Sequence, residues 1–158
     1  MKMFLQEDDE VSTHTLAAAA RQILLDLMRA KGAESPFYSF VRPERLKEVI
    51  TLVNEAPNFL KHADRDPDGT LTFRPVQTEL LLYDAAAMYP LLTGRALYAG
   101  SLFQLWFYVK HSDLMLKNPV LGPVLERIRE STKDDTDAER RQHLLALWDE
   151  PVAHGFDR

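Results

Sequence analysis

The sequence predicts an all-α fold: a four-helix up-and-down bundle with short additional C-terminal helices. Apolar residues recur at three- and four-residue steps along several long segments, and prolines or glycines stand where those segments begin and end: Gly32, Pro43, Pro75 and Gly94. In addition, the stretch 96–110 is apolar on nearly every side, as a helix surrounded by others must be. With 158 residues, 46% of them hydrophobic, the chain suffices for one well-buried core and is short for two, so 1–158 is read as a single domain.

Residues 1–11 turn quickly acidic and are expected to be a flexible start. Ser12 or Thr13 then caps the first long helix, in which Leu16, Ala20, Ile23, Leu24, Leu27 and Met28 form the expected core stripe until Gly32 stops it. The small residues 17–20 let a neighbouring helix approach closely. Residues 33–41, with Pro36, Phe37, Tyr38 and Phe40, read as an ordered connection pinned by aromatic burial.

Pro43 opens the second helix, which Leu46, Val49, Ile50 and Val53 continue toward Pro57. There the helix kinks or restarts as a short turn carrying residues 58–62, because proline removes an internal hydrogen bond. Residues 63–74 are polar and turn-forming, with a brief extended piece at Leu71, Thr72 and Phe73. Pro75 opens the third helix, carried by Val76, Leu80, Leu81, Tyr83, Ala87 and Met88 to Pro90 and Gly94. The fourth, 96–110, is expected to be the central spine. Shorter helices follow around 120–130 and 135–149, where Asp137, Arg140 and Arg141 read as a solvated face; 150–158 reads as a C-terminal tail.

A net charge of -5 gives no general attraction to DNA or to an anionic membrane. The absence of cysteine excludes disulfides, thiolate metal sites and cysteine nucleophiles. No secretory signal is evident and the apolar runs stop short of the roughly 20 residues that span a bilayer, so the expectation is a soluble cytoplasmic protein of bacterial type. With six glycines and no Gly-x-Ser-x-Gly elbow, dinucleotide-binding and serine-hydrolase signatures are absent.

The richest chemistry lies in residues 58–69, between two apolar segments. Asn58, Lys61 and His62 are the catalytic candidates, able to meet a phosphate or move a proton. Asp64, Asp66 and Asp68 alternate in the manner of ligands for a hard cation. If consecutive long helices run up and down, His14, this segment, Gln77, Glu79, Tyr108, His111 and Asp113 share one end of the bundle. His14, His62 and His111 then join the aspartates as metal-ligand candidates, with a divalent metal ion as the expected cofactor. Ser101, Gln104, Tyr108 and His111 fall on one polar seam of the fourth helix. Gln104, Tyr108 and His111, with an Asp84 that needs a cation or donor, are the ligand-binding candidates.

Two resemblances follow from this segment. Residues 64–72 resemble the first nine positions of an EF-hand calcium loop, but Pro75 stands where the bidentate glutamate belongs. Asn58-Phe59-Leu60-Lys61-His62 resembles the polar motif of HEPN-type helical proteins, a superfamily containing ribonucleases and inactive binding relatives. That resemblance implies metal-free RNA cleavage centred on His62, with Asn58 and Lys61 mapping onto the pattern. Its arginine, due five to seven positions before the histidine, is replaced here by Glu55, Ala56 and Pro57. The functional expectation is a metal-ion or small-ligand site at one bundle end. HEPN-like ribonuclease activity and a non-catalytic, homodimerising interaction protein are the alternatives.

Overall fold

A computed structural model of the chain describes residues 1–62, 64–65, 67–117, 121–148 and 156–157. The fold is all-α in character. Its helices are α1 (Lys2–Leu5), α2 (Glu10–Ala30), α3 (Phe37–Phe40), α4 (Leu46–Lys61), α5 (Pro75–Thr93), α6 (Tyr98–Lys110), α7 (Gly122–Ser131) and α8 (Asp137–Trp148), with a 3-10 turn at Pro43–Arg45. A two-residue strand β1 (Ala96–Leu97) pairs in parallel with β2 (Phe156–Asp157), in the segment expected to be a tail.

α5 is the central element, not α6. Eleven of its residues are buried, including Leu80, Leu81, Tyr83 and Met88, and it packs against α2, α3, α4 and α6. Four buried polar residues, Gln77, Thr78, Glu79 and Asp84, interrupt its apolar pattern and disguise that role in the sequence. Its ends follow the expected signals: Pro75 at the first position, and Gly94 in the left-handed conformation (φ 75°) with its N–H donating to the Pro90 carbonyl.

α2 rises parallel to α5, since His14 meets Thr78, Arg21 meets Asp84, and Lys31 donates to the Leu92 carbonyl. α6 descends against α5. Glu79 meets His111, Tyr83 lies 4.7 Å from the Phe107 ring, and Gly100 sits so close that a Cβ there would lie 3.2 Å from the Ala86 Cβ. The end of α4 is tied to the start of α5 by Glu55, which accepts from both Gln77 (2.7 Å) and Arg74.

Four expectations are corrected here. Asp9, accepting from the Ser12 N–H at 2.7 Å, caps α2 in place of Ser12 or Thr13. Most of the α2 stripe read as core faces outward: Leu16, Ile23 and Leu27 are 58%, 61% and 51% exposed, whereas of that stripe Met28 is buried and Leu24 half-buried, and Thr13, His14 and Ala17 make up the rest of the buried side. The amino-terminal segment is packed, with Phe4 and Leu5 buried against Phe103 and Trp106. Arg141 lies over the Phe4 ring (4.9 Å) and pairs with Glu7, so the α8 face read as solvated joins α8 to the chain start.

The connection before α4 is ordered, as expected from its aromatics. Phe37 is fully buried, Val41 bridges Met115, and the Arg42 guanidinium donates to the Ser112 and Met115 carbonyls. Among the described residues no helix is long and apolar enough to cross a membrane.

Candidate functional site

A cleft of about 500 Å³ opens between α2 and α4, with α5 contributing Leu81 to it. α2 lines it with His14, Thr15, Ala18, Ala19, Arg21 and Gln22; α4 lines it with Val53, Asn54, Pro57, Asn58, Leu60 and Lys61. Three residues singled out in the sequence, His14, Asn58 and Lys61, therefore meet at one place. Pro57 lies inside a continuous α4, which keeps Asn58 and Lys61 on a helical frame next to Asn54.

His14 is fully buried. Its Nδ1 is 3.0 Å from the Thr78 hydroxyl, its ring stands edge-on to Phe73, and its Nε2 has no partner among the described residues. Burial lowers its pKa, which favours the neutral ring. If the Thr78 hydroxyl donates to Nδ1, the unpartnered Nε2 carries the proton and is a donor. Leaving such a buried donor unmade costs about 1–3 kcal/mol.

Arg21 forms the wall where the cleft meets the buried interior. Its Nε donates to Asp84 at 2.5 Å and an Nη donates to the Tyr38 hydroxyl at 3.1 Å, while Ser35 donates to the other Asp84 oxygen. Asp84 is thus a buried carboxylate with a cation and a hydroxyl, meeting the need read from its place in α5. Burial pushes its carboxyl up from the ordinary value, and Arg21 and Ser35 oppose that rise. Asp84 does not line the cleft; it holds Arg21 in place.

The other ligand-binding candidates are elsewhere. His111 Nε2 lies 2.5 Å from Glu79, whose second oxygen accepts from Lys110 at 2.9 Å; Lys110 also donates to Asp137 at 2.7 Å and lies over the Trp106 ring. Burial of Glu79 would raise its pKa, but the His111 hydrogen bond and the charges of Lys110 and His111 outweigh it and hold the carboxyl below its usual value. Glu79, read as a first-turn dipole partner, is therefore the centre of a buried ionic network joining α5, α6 and α8. Tyr108 bonds to the buried Tyr83, whose phenol burial pushes up. Ser101 donates to the Leu97 carbonyl, so the expected seam is divided among separate partners, and Gln104 lines none of these arrangements.

His62 caps the end of α4, half-buried, outside the cleft lining. Asp64 and Asp68 are exposed, and Asp66 lies outside the described residues. Among the described residues no group of three or more His, Asp or Glu side chains gathers as metal ligands, and His14 and His111 are held by different partners. Gln22 and Asn54 were not singled out in the sequence; their helical steps from Ala18 and Asn58 were the available signal. No family model, curated protein or solved structure matches the chain.

Proposed function

We propose that this protein binds a small organic anion, a carboxylate or phosphate ester with an apolar body, in the cleft between α2 and α4. The carrying observation is the lining: Lys61, Arg21 and the side chains of Gln22, Asn54, Asn58 and His14, with no carboxylate among them. Lys61 supplies the free charge at the exposed end, because Arg21 is engaged by Asp84. Asn54 gives its amide N–H to the Ile50 carbonyl. The Asn58 amide is left to orient the ligand by donating to it. Ala18, Val53, Pro57, Leu60 and Leu81 supply the apolar surface, and the volume falls within the range typical of small-molecule pockets.

The architecture that accompanies this reading is the up-and-down bundle of α2, α4, α5 and α6, supported by the opposed directions of α5 and α6. The metal-ion version of the site has no gathered ligand set among the described residues to rest on.

The test is a thermal-shift screen with hexanoate, benzoate, phenyl phosphate and inorganic phosphate, followed by calorimetry. Binding is expected to raise the melting temperature by mass action, and Lys61→Glu or Asn58→Ala to weaken it at least about tenfold. Absence of any shift, or equal affinity in Lys61→Glu, refutes the proposal.

A second reading, HEPN-like RNA cleavage, rests on Arg21 lining the same cleft as Asn58 and Lys61, with His62 next in the chain at the end of α4 and outside the cleft lining. It predicts RNA cleavage in the presence of chelator, abolished in His62→Ala. Intact RNA after prolonged incubation with the wild-type chain refutes it.

A further inference from the structure

Resting on the anion-binding reading of the cleft between α2 and α4, we infer that Asp84 sets its affinity by competing with the bound anion for the Arg21 guanidinium, so that anion and proton bind together. Arg21 lines the cleft with a side chain that is 11% exposed, while Asp84 stands behind it, fully buried and outside the lining. The guanidinium donates through Nε to Asp84 at 2.5 Å and through one Nη to the Tyr38 hydroxyl at 3.1 Å. Its other Nη has no partner among the described residues and is left to a ligand.

One guanidinium thus serves two sides. With Asp84 ionised, its charge is largely cancelled from behind, and an anion in the cleft meets a neutral pair. That anion in turn disfavours the ionised form of Asp84, as a like charge does to any carboxyl. With Asp84 protonated, the guanidinium shows the ligand its full charge. Ser35, which donates to the ionised carboxylate, is able to accept from the protonated one, because a hydroxyl does both. By linkage, a ligand that favours the protonated form is favoured by the proton to the same extent. Burial already raises the Asp84 carboxyl above its ordinary value, which brings this exchange closer to neutral pH.

No other charged side chain bonds to Asp84 among the described residues. Lys110 and His111, at the end of α6, are engaged by Glu79, and Glu55 of α4 by Arg74 and Gln77. His14 titrates in the same cleft, so its variant separates the two sources of pH dependence.

Benzoate is the probe, since it stays ionised above about pH 5.5. Calorimetry at about pH 5.5 and about pH 8, in two buffers of unlike ionisation enthalpy that are neither phosphates nor carboxylates, is expected to show proton uptake and binding at least about fivefold tighter at the lower pH. Asp84→Asn keeps an acceptor for Arg21 and cannot ionise. It is expected to bind benzoate at least about fivefold tighter than the wild type at the higher pH, with equal affinity at both. A residue that only supported the fold would weaken binding when replaced. Ser35→Ala removes a donor that favours the ionised form, so the fall in affinity is expected at higher pH than in the wild type; this holds whether or not Asp84→Asn folds. His14→Gln is expected to retain the pH dependence. Equal wild-type affinity at both pH values without proton uptake, a pH dependence retained in Asp84→Asn, or an unchanged profile in Ser35→Ala overturns the coupling and leaves anion binding standing. Absence of benzoate binding at either pH overturns both.

Discussion

Replacing Arg21 by methionine removes the cation from a carboxylate that water cannot reach. Asp84 is fully buried and the Arg21 side chain is 11% exposed, so solvent screens the pair little. Breaking a buried ion pair by deleting one partner costs about 3–5 kcal/mol. Asp84 has an escape, which is to take up a proton. From an ordinary carboxyl value near 3.9, full protonation at pH 7 costs about 4 kcal/mol, falling to about 1.5 kcal/mol at pH 5. That sets a pH-dependent ceiling on the damage. In the wild type, the raised Asp84 value means that the folded chain binds the extra proton, so this group's contribution to stability declines as pH rises through the window between its unfolded and folded values. Removing Arg21 extends the window upward. Urea unfolding of Arg21→Met at pH 7 and pH 5 is therefore expected to show the larger loss at pH 7. Adding Asp84→Leu to the same chain is expected to recover much of it. A loss under about 1 kcal/mol at pH 7, or an equal loss at both pH values, refutes the assignment of a charged, buried pair.

Glu79 has the opposite sign. Its folded value is depressed, so the stability it contributes is present above about pH 4.5 and is lost as pH falls through the folded value; urea midpoints across that range are expected to fall more steeply for wild type than for Glu79→Gln. His14 is held neutral by burial, so stability is expected to fall as pH drops below about 6.5, with a flatter profile in His14→Gln. Gly94→Ala places a side chain at φ 75° with nothing within 4 Å of the added Cβ, and thermal unfolding is expected to show a loss of about 1–2 kcal/mol from backbone conformation alone.

The helical character and the ends of the long helices were legible because Pro75, Gly94 and the apolar spacing act locally. The facing of α2 was not. Its two sides are both largely apolar, and the inner one carries His14 and Arg21, whose polarity is matched only by Thr78 and Asp84 more than sixty residues away. Periodicity reports that a helix has a preferred face, not which face finds the core. The same distance effect hid α5, whose Glu79 and Asp84 look like solvent-facing acids until Lys110, His111, Arg21 and Ser35 are brought to them. Asn58, Lys61 and His14 were legible as a group from the expected meeting of helix ends. Tyr108 and His111 were not part of it, because nearer partners on α5 engage them.

Glu79 and Asp84 are five residues apart on α5, which separates them by about 140° around the helix and about 7.5 Å along it. Each serves a different set of neighbours: one joins α6 and α8, the other α2 and the segment before α4. A one-residue insertion or deletion between them would swing one carboxylate by about 100° relative to the other, so that only one set of partners could be met. Substitutions on the outer surfaces are tolerable in such a chain, but the number of residues between these two acids is fixed by the helix itself.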